Sequence, residues 1–145
     1  MADVLLFTDV LRRWAEVFMH RSMREYRQFS RDSGLSMSQM SALFHIHYGG
    51  HCGVSDLGEH LGVTNAAASQ MIDRLVQQGL LERSEHPIDR RAKYLALTPR
   101  GQALVQQAIE ARMRWIEDLT TTLTSEQQQA IAAALTTLTQ AARDL

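Results

Sequence analysis

The spacing of apolar residues predicts a long amphipathic helix near the start of the chain. Over residues 9–29, Leu11, Trp14, Ala15 and Phe18 recur at i, i+3, i+4 and i+7, while most charged residues fall elsewhere on the helical wheel. A stripe of this kind is normally buried on one side of a helix. The Ser-Gly pair at residues 33–34 should end it, because glycine suits the left-handed backbone that closes many helices.

A second helix follows directly and carries signals at both ends. Ser36 and Gln39 have the spacing of a capping box, in which each side chain satisfies a free backbone N–H at the helix start. Met40, Leu43 and Phe44 supply an apolar stripe. The Gly-Gly pair at residues 49–50 should end this helix.

Two further helices joined by a glycine turn form a helix-turn-helix pattern. The first should span about residues 54–61, with Gly62 available for its left-handed end. Thr64 is the N-cap candidate of the second helix, which Gly79 should terminate. The apolar face of this second helix comprises Ala68, Ile72, Leu75 and Val76.

Alternating residues after Gly79 predict two short strands, at residues 80–84 and 92–97. In the second strand, Leu95 and Leu97 alternate with Tyr94 and Ala96, as the two faces of a pleated strand require. The polar loop at 85–91 holds one of the two prolines of the chain. A helix-turn-helix followed by such a hairpin is a winged helix.

The rest of the chain predicts two more helices. Thr98 and Pro99 form a strong start signal for a helix running to about residue 123, because proline at the first helical position loses no hydrogen bond. Ser125 and Gln128 repeat the capping-box spacing before a last helix that reaches the terminus. The expected fold class is mainly α with a small two-stranded β wing. It is one domain, residues 1–145, with a winged helix-turn-helix at 37–97 and flanking helical parts at 1–34 and 98–145.

The flanking helical parts carry more apolar surface than a small winged helix covers. In the helix after Thr98 the apolar residues are Leu104, Val105, Ala108, Ile109, Ala111, Trp115, Ile116 and Leu119. Each such side chain contributes roughly 1.5 to 3 kcal/mol when fully buried. We therefore expect 1–34 and 98–145 to pack against a second copy across a two-fold axis, which would present two recognition helices to successive major-groove half-sites. A helical bundle within one chain is the alternative.

Composition narrows the compartment and the class of partner. The chain has 145 residues, with 15 Lys and Arg against 16 Asp and Glu, so a polyanion must meet a local basic patch. A single cysteine favours a reducing compartment. No stretch approaches the roughly 18 apolar residues of a membrane span, and the Met-Ala-Asp start lacks the basic region of a secretory signal. We expect a cytoplasmic protein that has no membrane partner.

The outward face of the helix after Thr64 suits DNA recognition. The core stripe leaves outside Ala66, Gln70, Asp73 and Gln77, flanked by Asn65, Ser69 and Arg74. Small residues let a helix backbone enter the major groove, and Asn or Gln can form two hydrogen bonds to adenine. The candidates for base contacts are Asn65, Ala66, Ser69 and Gln70, and those for phosphate contacts are Thr64 and Arg74. Taken alone, such a face is equally typical of a solvated helix.

Positive charge is concentrated at the predicted wing. Over residues 83–100 the charged residues are the cations Arg83, Arg90, Arg91, Lys93 and Arg100 and the acids Glu85 and Asp89. Adjacent Arg90 and Arg91 at a loop tip are long enough to enter a minor groove, and Asp89 can hold one guanidinium by a charge-assisted bond. Lys93 completes the expected wing contacts. A solvated charged loop is the alternative.

Two segments resemble the MarR family of winged-helix transcriptional regulators. Residues 89–101 read Asp-Arg-Arg-Ala-Lys-Tyr-Leu-Ala-Leu-Thr-Pro-Arg-Gly, which is similar to the family pattern Asp-x-Arg followed by Leu-x-Leu-Thr-x-x-Gly. Residues 69–80 read Ser-Gln-Met-Ile-Asp-Arg-Leu-Val-Gln-Gln-Gly-Leu and resemble the family's recognition helix and glycine turn. The order and length of the predicted helices match over essentially the whole chain.

The resemblance implies an obligate homodimer that binds pseudo-palindromic double-stranded DNA, usually as a repressor released by a small ligand or an oxidant. By position, Arg91 corresponds to the wing arginine of the family and Asp89 to the acid that positions it. Many members carry a basic residue where this chain has Gln70, so the resemblance does not predict the operator sequence. We expect no cofactor.

Histidines and a cysteine gathered in one stretch invite a metal or redox interpretation. On one helix His45 and His47 lie about 200° apart, and neither they nor His51 and Cys52 have an acid within the stretch to complete a metal shell. A thiolate at a helix start is activated by the helix dipole. The family's peroxide sensors carry their cysteine in the first helix, however, where this chain has none. We expect packed histidines and a bystander thiol, with metal or redox sensing as the alternative.

Aromatic residues and a methionine are candidates to line a pocket for a small aromatic effector between the winged helix and the dimerisation part. They are Trp14, Phe18, Phe44, Tyr48 and Met113. Stripes of this type are more often core, so the pocket follows from the family resemblance.

Two other function classes are alternatives to a DNA-binding regulator. An enzyme is not expected, because no Ser-His-Asp set, glycine-rich phosphate loop or paired carboxylates occur at a recognisable spacing. A winged helix that binds protein instead of DNA is the closer alternative. The two differ in salt response, since a DNA binder with several phosphate contacts loses affinity steeply as salt rises.

Overall fold

A computed structural model describes the backbone of residues 2–85 and 93–145 and the side chains of residues 6–85 and 94–145. The elements in chain order are the helices and strands α1 (Ala2–Ser33), α2 (Met37–Gly49), α3 (Val54–Leu61), α4 (Asn65–Gln77), β1 (Leu81–Glu85), β2 (Lys93–Leu97), α5 (Pro99–Glu117), α6 (Leu119–Thr122) and α7 (Ser125–Arg143). The mainly helical class with a two-stranded sheet is confirmed. The chain divides into two compact units, Met1–Arg112 and Met113–Leu145.

α1 is longer than its periodic pattern predicted. It begins at Ala2, so the start predicted near residue 9 was wrong. The apolar residues within 2–8 do not repeat with a helical period, so the pattern did not indicate a helix there. These residues include no glycine or proline, and their helix propensity is sufficient to extend α1 to Ala2. The predicted end is confirmed, since Gly34 has a φ of 71° and the Ser30 Oγ donates to the Leu35 carbonyl at 2.6 Å.

Local capping signals set the bounds of the next three helices. The Ser36 Oγ accepts from the Gln39 N–H at 3.1 Å, and the Gln39 Oε1 accepts from the Ser36 N–H at 2.8 Å, which confirms the capping box of α2. The bounds of α3 are those predicted. The Thr64 Oγ1 accepts from the Ala67 N–H at 3.2 Å and begins α4 as expected.

The end of α4 moves the first strand by one residue. Gly79, with a φ of 71°, donates to the Val76 carbonyl, and the next N–H, from Leu80, donates to the Leu75 carbonyl, both at 2.9 Å. This pair of bonds is a Schellman motif. Leu80 therefore belongs to the helix end, and β1 spans Leu81–Glu85 where residues 80–84 were predicted.

The two strands form an antiparallel hairpin. Leu81 pairs with Leu97 and Glu85 with Lys93 at its two ends. Leu95 and Leu97 are buried while Tyr94 and Ala96 are half-buried, which confirms the predicted alternation. Cys52 adds a single-residue bridge to Leu95, a pairing that sequence periodicity did not predict because one residue has no period.

The core of the first unit lies among α1, α2, α3, α4, the hairpin and the first half of α5. Its largest fully buried apolar residues are Met40, Leu43, Ile46, Leu57, Ile72, Leu75, Leu81, Leu95 and Val105. Val105 and Ala108 on α5 have no exposed surface. The expectation that a partner must cover the apolar face of α5 was therefore wrong for these two residues, because the chain's own core covers them.

α5 and α7 differ from prediction at the segment that joins them. α5 ends at Glu117 and not near residue 123, and the four-residue α6 follows. The hydroxyl of Thr120 donates to the Glu117 carbonyl at 2.7 Å, and that of Thr121 donates to the Asp118 carbonyl at 2.8 Å, bonds that compete with a continuous helix.

The capping box of α7 also lies one residue earlier than predicted. The Thr124 Oγ1 accepts from the Gln127 N–H at 3.3 Å and the Gln127 side chain accepts from the Thr124 N–H at 3.0 Å. Gln128, which was expected to complete the box, donates instead to the Leu123 carbonyl at 2.9 Å. The pairs Thr124–Gln127 and Ser125–Gln128 have the same spacing, so the sequence allowed two capping boxes. The structure forms the first of them.

Candidate nucleic-acid interface

α4 presents the polar face that the sequence predicted. Asn65, Ala66, Gln70 and Arg74 are exposed, as are Asp73 and Gln77, while Ser69 is half-buried. On the opposite side Ala68, Ile72 and Leu75 have no exposed surface. The burial of this stripe fixes the rotation of α4 about its axis, so the polar side chains are held outward together.

Thr98 locks the end of α4 to the start of α5. Its Oγ1 donates to the Gly79 carbonyl at 2.6 Å and accepts from the Gly101 N–H at 3.0 Å, while its N–H donates to the Leu80 carbonyl at 3.1 Å. The predicted N-cap role of Thr98 is confirmed. The bond to Gly79 was not predicted, because the two residues are far apart in sequence.

Gly101 permits this close approach of the two elements. A Cβ placed there would lie 2.1 Å from the Leu80 carbonyl oxygen, far inside van der Waals contact. Only glycine fits this position without movement of the backbone. The Leu-x-Leu-Thr-x-x-Gly pattern therefore describes a corner that holds α4, the hairpin and α5 in one arrangement.

The tip of the hairpin, where the wing contacts were predicted, is only partly described. Asp89, Arg90 and Arg91 lie outside the described residues. Lys93 begins β2 opposite Glu85, and nothing is described of its side chain. The hairpin that carries this loop begins directly after α4, so the loop and the polar face of α4 belong to consecutive elements.

An ion pair links the polar face of α4 to the first strand of the hairpin. Asp73 Oδ1 lies 2.5 Å from an Nη atom of Arg83. The sequence placed Asp73 on the outward face and counted Arg83 among the wing cations, but it did not predict that they pair. The count over residues 83–100 stays at five cations against two acids, and Asp73 partners one of those cations.

Comparison with known proteins identifies the family. The sequence model of the MarR family matches residues 35–93. The crystal structure of RV1404 from Mycobacterium tuberculosis is 30% identical to this chain, with 95% of this chain and 93% of that one covered and a TM-score of 0.65. The chain belongs to the MarR family.

Two further relatives extend the likeness of this MarR-family chain over nearly its whole length. The transcriptional regulator Tm0710 from Thermotoga maritima is 28% identical, with a TM-score of 0.81 and coverage of 97% of this chain and 96% of that one. The transcriptional repressor MdtR from Bacillus subtilis is 28% identical over 98% of this chain and 87% of its own length. The protein is a winged helix-turn-helix transcriptional regulator of the MarR family, a family of regulators and not of enzymes.

A groove of about 540 Å³ opens on the first unit of this MarR-family regulator. Its lining comprises Met23, Tyr26, Met37, Ser38, Ser41, Phe44, Tyr48, His60, Leu61 and Arg112. Phe44 and Tyr48, two of the predicted pocket residues, stack with ring centroids 6.1 Å apart. The ring centroids of Trp14 and Phe18 are 6.2 Å apart. These two residues and Met113, which were also predicted to line the pocket, are not among the residues that line this groove.

Arg112 supplies the positive charge of the groove. Its guanidinium carbon lies 5.3 Å from the centroid of the Tyr26 ring, within range of a cation–π contact. The Nε atom of Arg112 is buried and has no hydrogen-bond partner within the part of the chain that the structure describes. Burial raises the pKa of Tyr26, and the nearby Arg112 charge opposes that shift, so the phenol is neutral near pH 7.

The histidines and Cys52 of this MarR-family regulator are held by packing contacts. His45 and His60 stack with centroids 4.0 Å apart, and His51 lies 4.6 Å from the Tyr94 ring. Across residues 6–85 and 94–145, no three His, Cys, Asp or Glu side chains are close enough together to hold a metal ion. Burial, aided by the charge of Asp56, raises the pKa of the Cys52 thiol, which opposes formation of a reactive thiolate.

Within the described residues, no helix is both long and apolar enough to cross a membrane.

Proposed function

We propose that this regulator binds a pseudo-palindromic site in double-stranded DNA as a homodimer, and represses transcription until a small aromatic anion releases it. The exposed polar face of α4, held beside an antiparallel hairpin by a buried stripe, carries the proposal. The relative named as a transcriptional repressor supports repression as the sign of the response.

α4 has the dimensions of a recognition helix. Its thirteen residues span about 20 Å at the rise of an α-helix, and its first turns expose small and amide side chains. Asn65, Ala66, Ser69 and Gln70 are the proposed base contacts, and a Gln amide there matches the donor and acceptor pair of adenine. Thr64 and Arg74 are the proposed phosphate contacts. The free N–H groups at the start of α4 add favourable charge for a phosphate near Thr64.

The wing supplies the second proposed contact with DNA. Arg90, Arg91 and Lys93 are proposed to reach the backbone and the minor groove, with Asp89 orienting one of the arginines. The proposal rests on their charge and on their place along the chain, with Asp89, Arg90 and Arg91 between β1 and β2 and Lys93 at the first residue of β2. A winged helix of residues 37–97 would then contact DNA through two consecutive elements.

The proposed dimerisation part comprises residues 1–34 and 98–145. On α1, the exposed fractions of Leu6, Phe7 and Val10 are 64%, 59% and 59%. In the second unit, Ile131 and Leu135 on α7 are also exposed. Apolar residues grouped in this way on a helix usually mark an interface, and a second copy related by a two-fold axis is the commonest partner.

Sedimentation of two variants tests the dimer. Val10→Glu places a charge in the exposed apolar stripe of α1 and should shift the protein from dimer to monomer at micromolar concentration. Arg12→Glu, an exposed change about 200° around the same helix from Val10, should leave the dimer intact. A wild-type chain that sediments as a monomer at micromolar concentration would refute the dimer.

DNA binding is tested by selecting bound duplexes from a random library and measuring their affinity by fluorescence anisotropy at several salt concentrations. Gln70→Ala should lower the affinity for the selected duplex by roughly tenfold, the value of one good base contact, and should change the preferred base at the position that Gln70 contacts. Gln107→Ala, an exposed glutamine on α5, is the matched control. Arg91→Ala should lower the affinity for every duplex and make the dependence of affinity on salt shallower. If affinity for the partner hardly changes with salt, a protein-binding winged helix is favoured instead.

The groove is the proposed site of the aromatic anion. Tyr26, Phe44 and Tyr48 offer ring faces, and Arg112 offers a cation whose Nε has no partner among the described residues. Salicylate should reduce DNA affinity of the wild-type chain and have little effect on Arg112→Gln. Arg114→Gln removes a charge from an exposed position two residues along α5 and should respond like wild type. Unchanged DNA affinity over a millimolar titration of the wild type would refute this part of the proposal.

A further inference from the structure

Asp73 is an acid on the face of α4 that is proposed to meet DNA. It lies one helical turn after Ser69 and Gln70 and one turn before Gln77, and 53% of its side chain is exposed. A carboxylate at this position repels the phosphates on either side of a groove. Its presence on a DNA-facing surface therefore needs a physical reason.

The carboxylate of Asp73 is engaged by Arg83, which comes from a different element. The two atoms are 2.5 Å apart, across the junction of α4 and β1, and the Arg83 side chain is 39% exposed. Arg83 is thereby held along the protein surface with its charge already partnered. A guanidinium at the base of the wing that had no such partner would be long enough to bind a DNA phosphate of any sequence.

The pair is not needed to hold α4 against the hairpin. The Schellman turn at Gly79 and the buried Leu75, Leu80 and Leu81 already join the two elements. Ion pairs as exposed as this one contribute little to folding stability. The effect of the pair is therefore expected in binding and not in folding.

We propose that Asp73 is a positioning residue that sets DNA specificity through Arg83, by withholding a guanidinium from sequence-independent phosphate contact. The inference rests on the proposed DNA-binding function. In a specific complex the base contacts fix the register of the protein on the duplex. A non-specific complex can adopt any register that adds a phosphate contact. A released arginine therefore increases the affinity for non-specific DNA more than the affinity for the specific site.

The test compares Asp73→Asn with wild type on a selected duplex and on a scrambled duplex over a range of salt concentrations. Asp73→Asn should bind the scrambled duplex roughly tenfold more tightly, the factor that one additional charged hydrogen bond supplies. The slope of log affinity against log salt should steepen by about 0.9, the value of one new phosphate contact. The ratio of specific to non-specific affinity should fall. Thermal unfolding should stay close to wild type, which shows that the change is not one of folding.

Two further variants separate release of the arginine from simple loss of a negative charge. Glu82→Gln removes a carboxylate from the neighbouring residue on β1, for which the described residues show no ion pair, and should change the salt slope little. The double variant Asp73→Asn/Arg83→Gln should lose both the tighter non-specific binding and the steeper slope. A gain in Asp73→Asn no larger than that in Glu82→Gln, or one that persists in the double variant, overturns the inference. If the wild-type chain binds no duplex, the proposed DNA-binding function is refuted, and this result differs from every outcome that refutes only the role of Asp73.

Discussion

Replacement of Thr98 by valine is expected to loosen the corner that joins α4, the hairpin and α5. Valine keeps the shape of the side chain but removes its hydroxyl, so the bonds to the Gly79 carbonyl at 2.6 Å and from the Gly101 N–H at 3.0 Å are both lost. Loss of a helix N-cap costs about 1 kcal/mol. A carbonyl left without a partner in a half-buried site costs about 1 to 2 kcal/mol more. The free energy of unfolding should therefore fall by about 2 to 3 kcal/mol.

Urea unfolding followed by circular dichroism measures this loss. The midpoint should move to lower urea while the slope of the free energy against urea stays constant, because the surface exposed on unfolding is unchanged. All variants are compared at one protein concentration, since dimer formation would make the midpoint depend on it. Thr98→Ser keeps the hydroxyl and should retain most of the stability. If Thr98→Val loses no more than Thr98→Ser, the two bonds do not contribute as the geometry indicates, and the reasoning is refuted.

Four shorter predictions test other parts of the structure. Gly101→Ala should destabilise the fold by more than about 1 kcal/mol in the same urea assay, because the new Cβ meets a backbone oxygen of Leu80 at 2.1 Å and one of the two must move; full stability would contradict the close approach. Ser36→Ala should cost about 1 kcal/mol through loss of the capping box of α2, and Ser36→Asp should restore most of it. Cys52 should react with iodoacetamide more slowly than a free thiol at pH 8, since burial raises its pKa from 9.0, and unfolding in urea should remove the difference. The raised pKa of Tyr26 means that the folded state holds its proton more tightly than the unfolded state does, so stability is retained below pH 10.0 and falls as pH rises above it; Tyr26→Phe should show a shallower alkaline decline, and an identical decline would rule this cause out.

Signals confined to a few neighbouring residues predicted most helix ends correctly. The capping box at Ser36, the N-cap at Thr64 and the helix-terminating glycine at Gly79 each lie where the sequence placed them. The same kind of reasoning failed where two nearby residues were equally suitable, as for the cap of α7 at Thr124, or where the apolar run had no period, as at the start of α1. The exposed face of α4 that carries the proposed base-contact residues followed from periodicity, because burial of one stripe exposes the opposite face.

The sequence by itself determined the order of the elements apart from α6, the rotation of α4 and the residues that are proposed to meet DNA, because these depend on hydrogen bonds and periodicity within one or two turns. The tertiary structure alone decided that Asp73 pairs with Arg83, that Thr98 bonds to Gly79, and that Tyr26 and Arg112 share a groove. Each of these contacts joins residues on different elements, and no local pattern records which side chains meet once those elements pack.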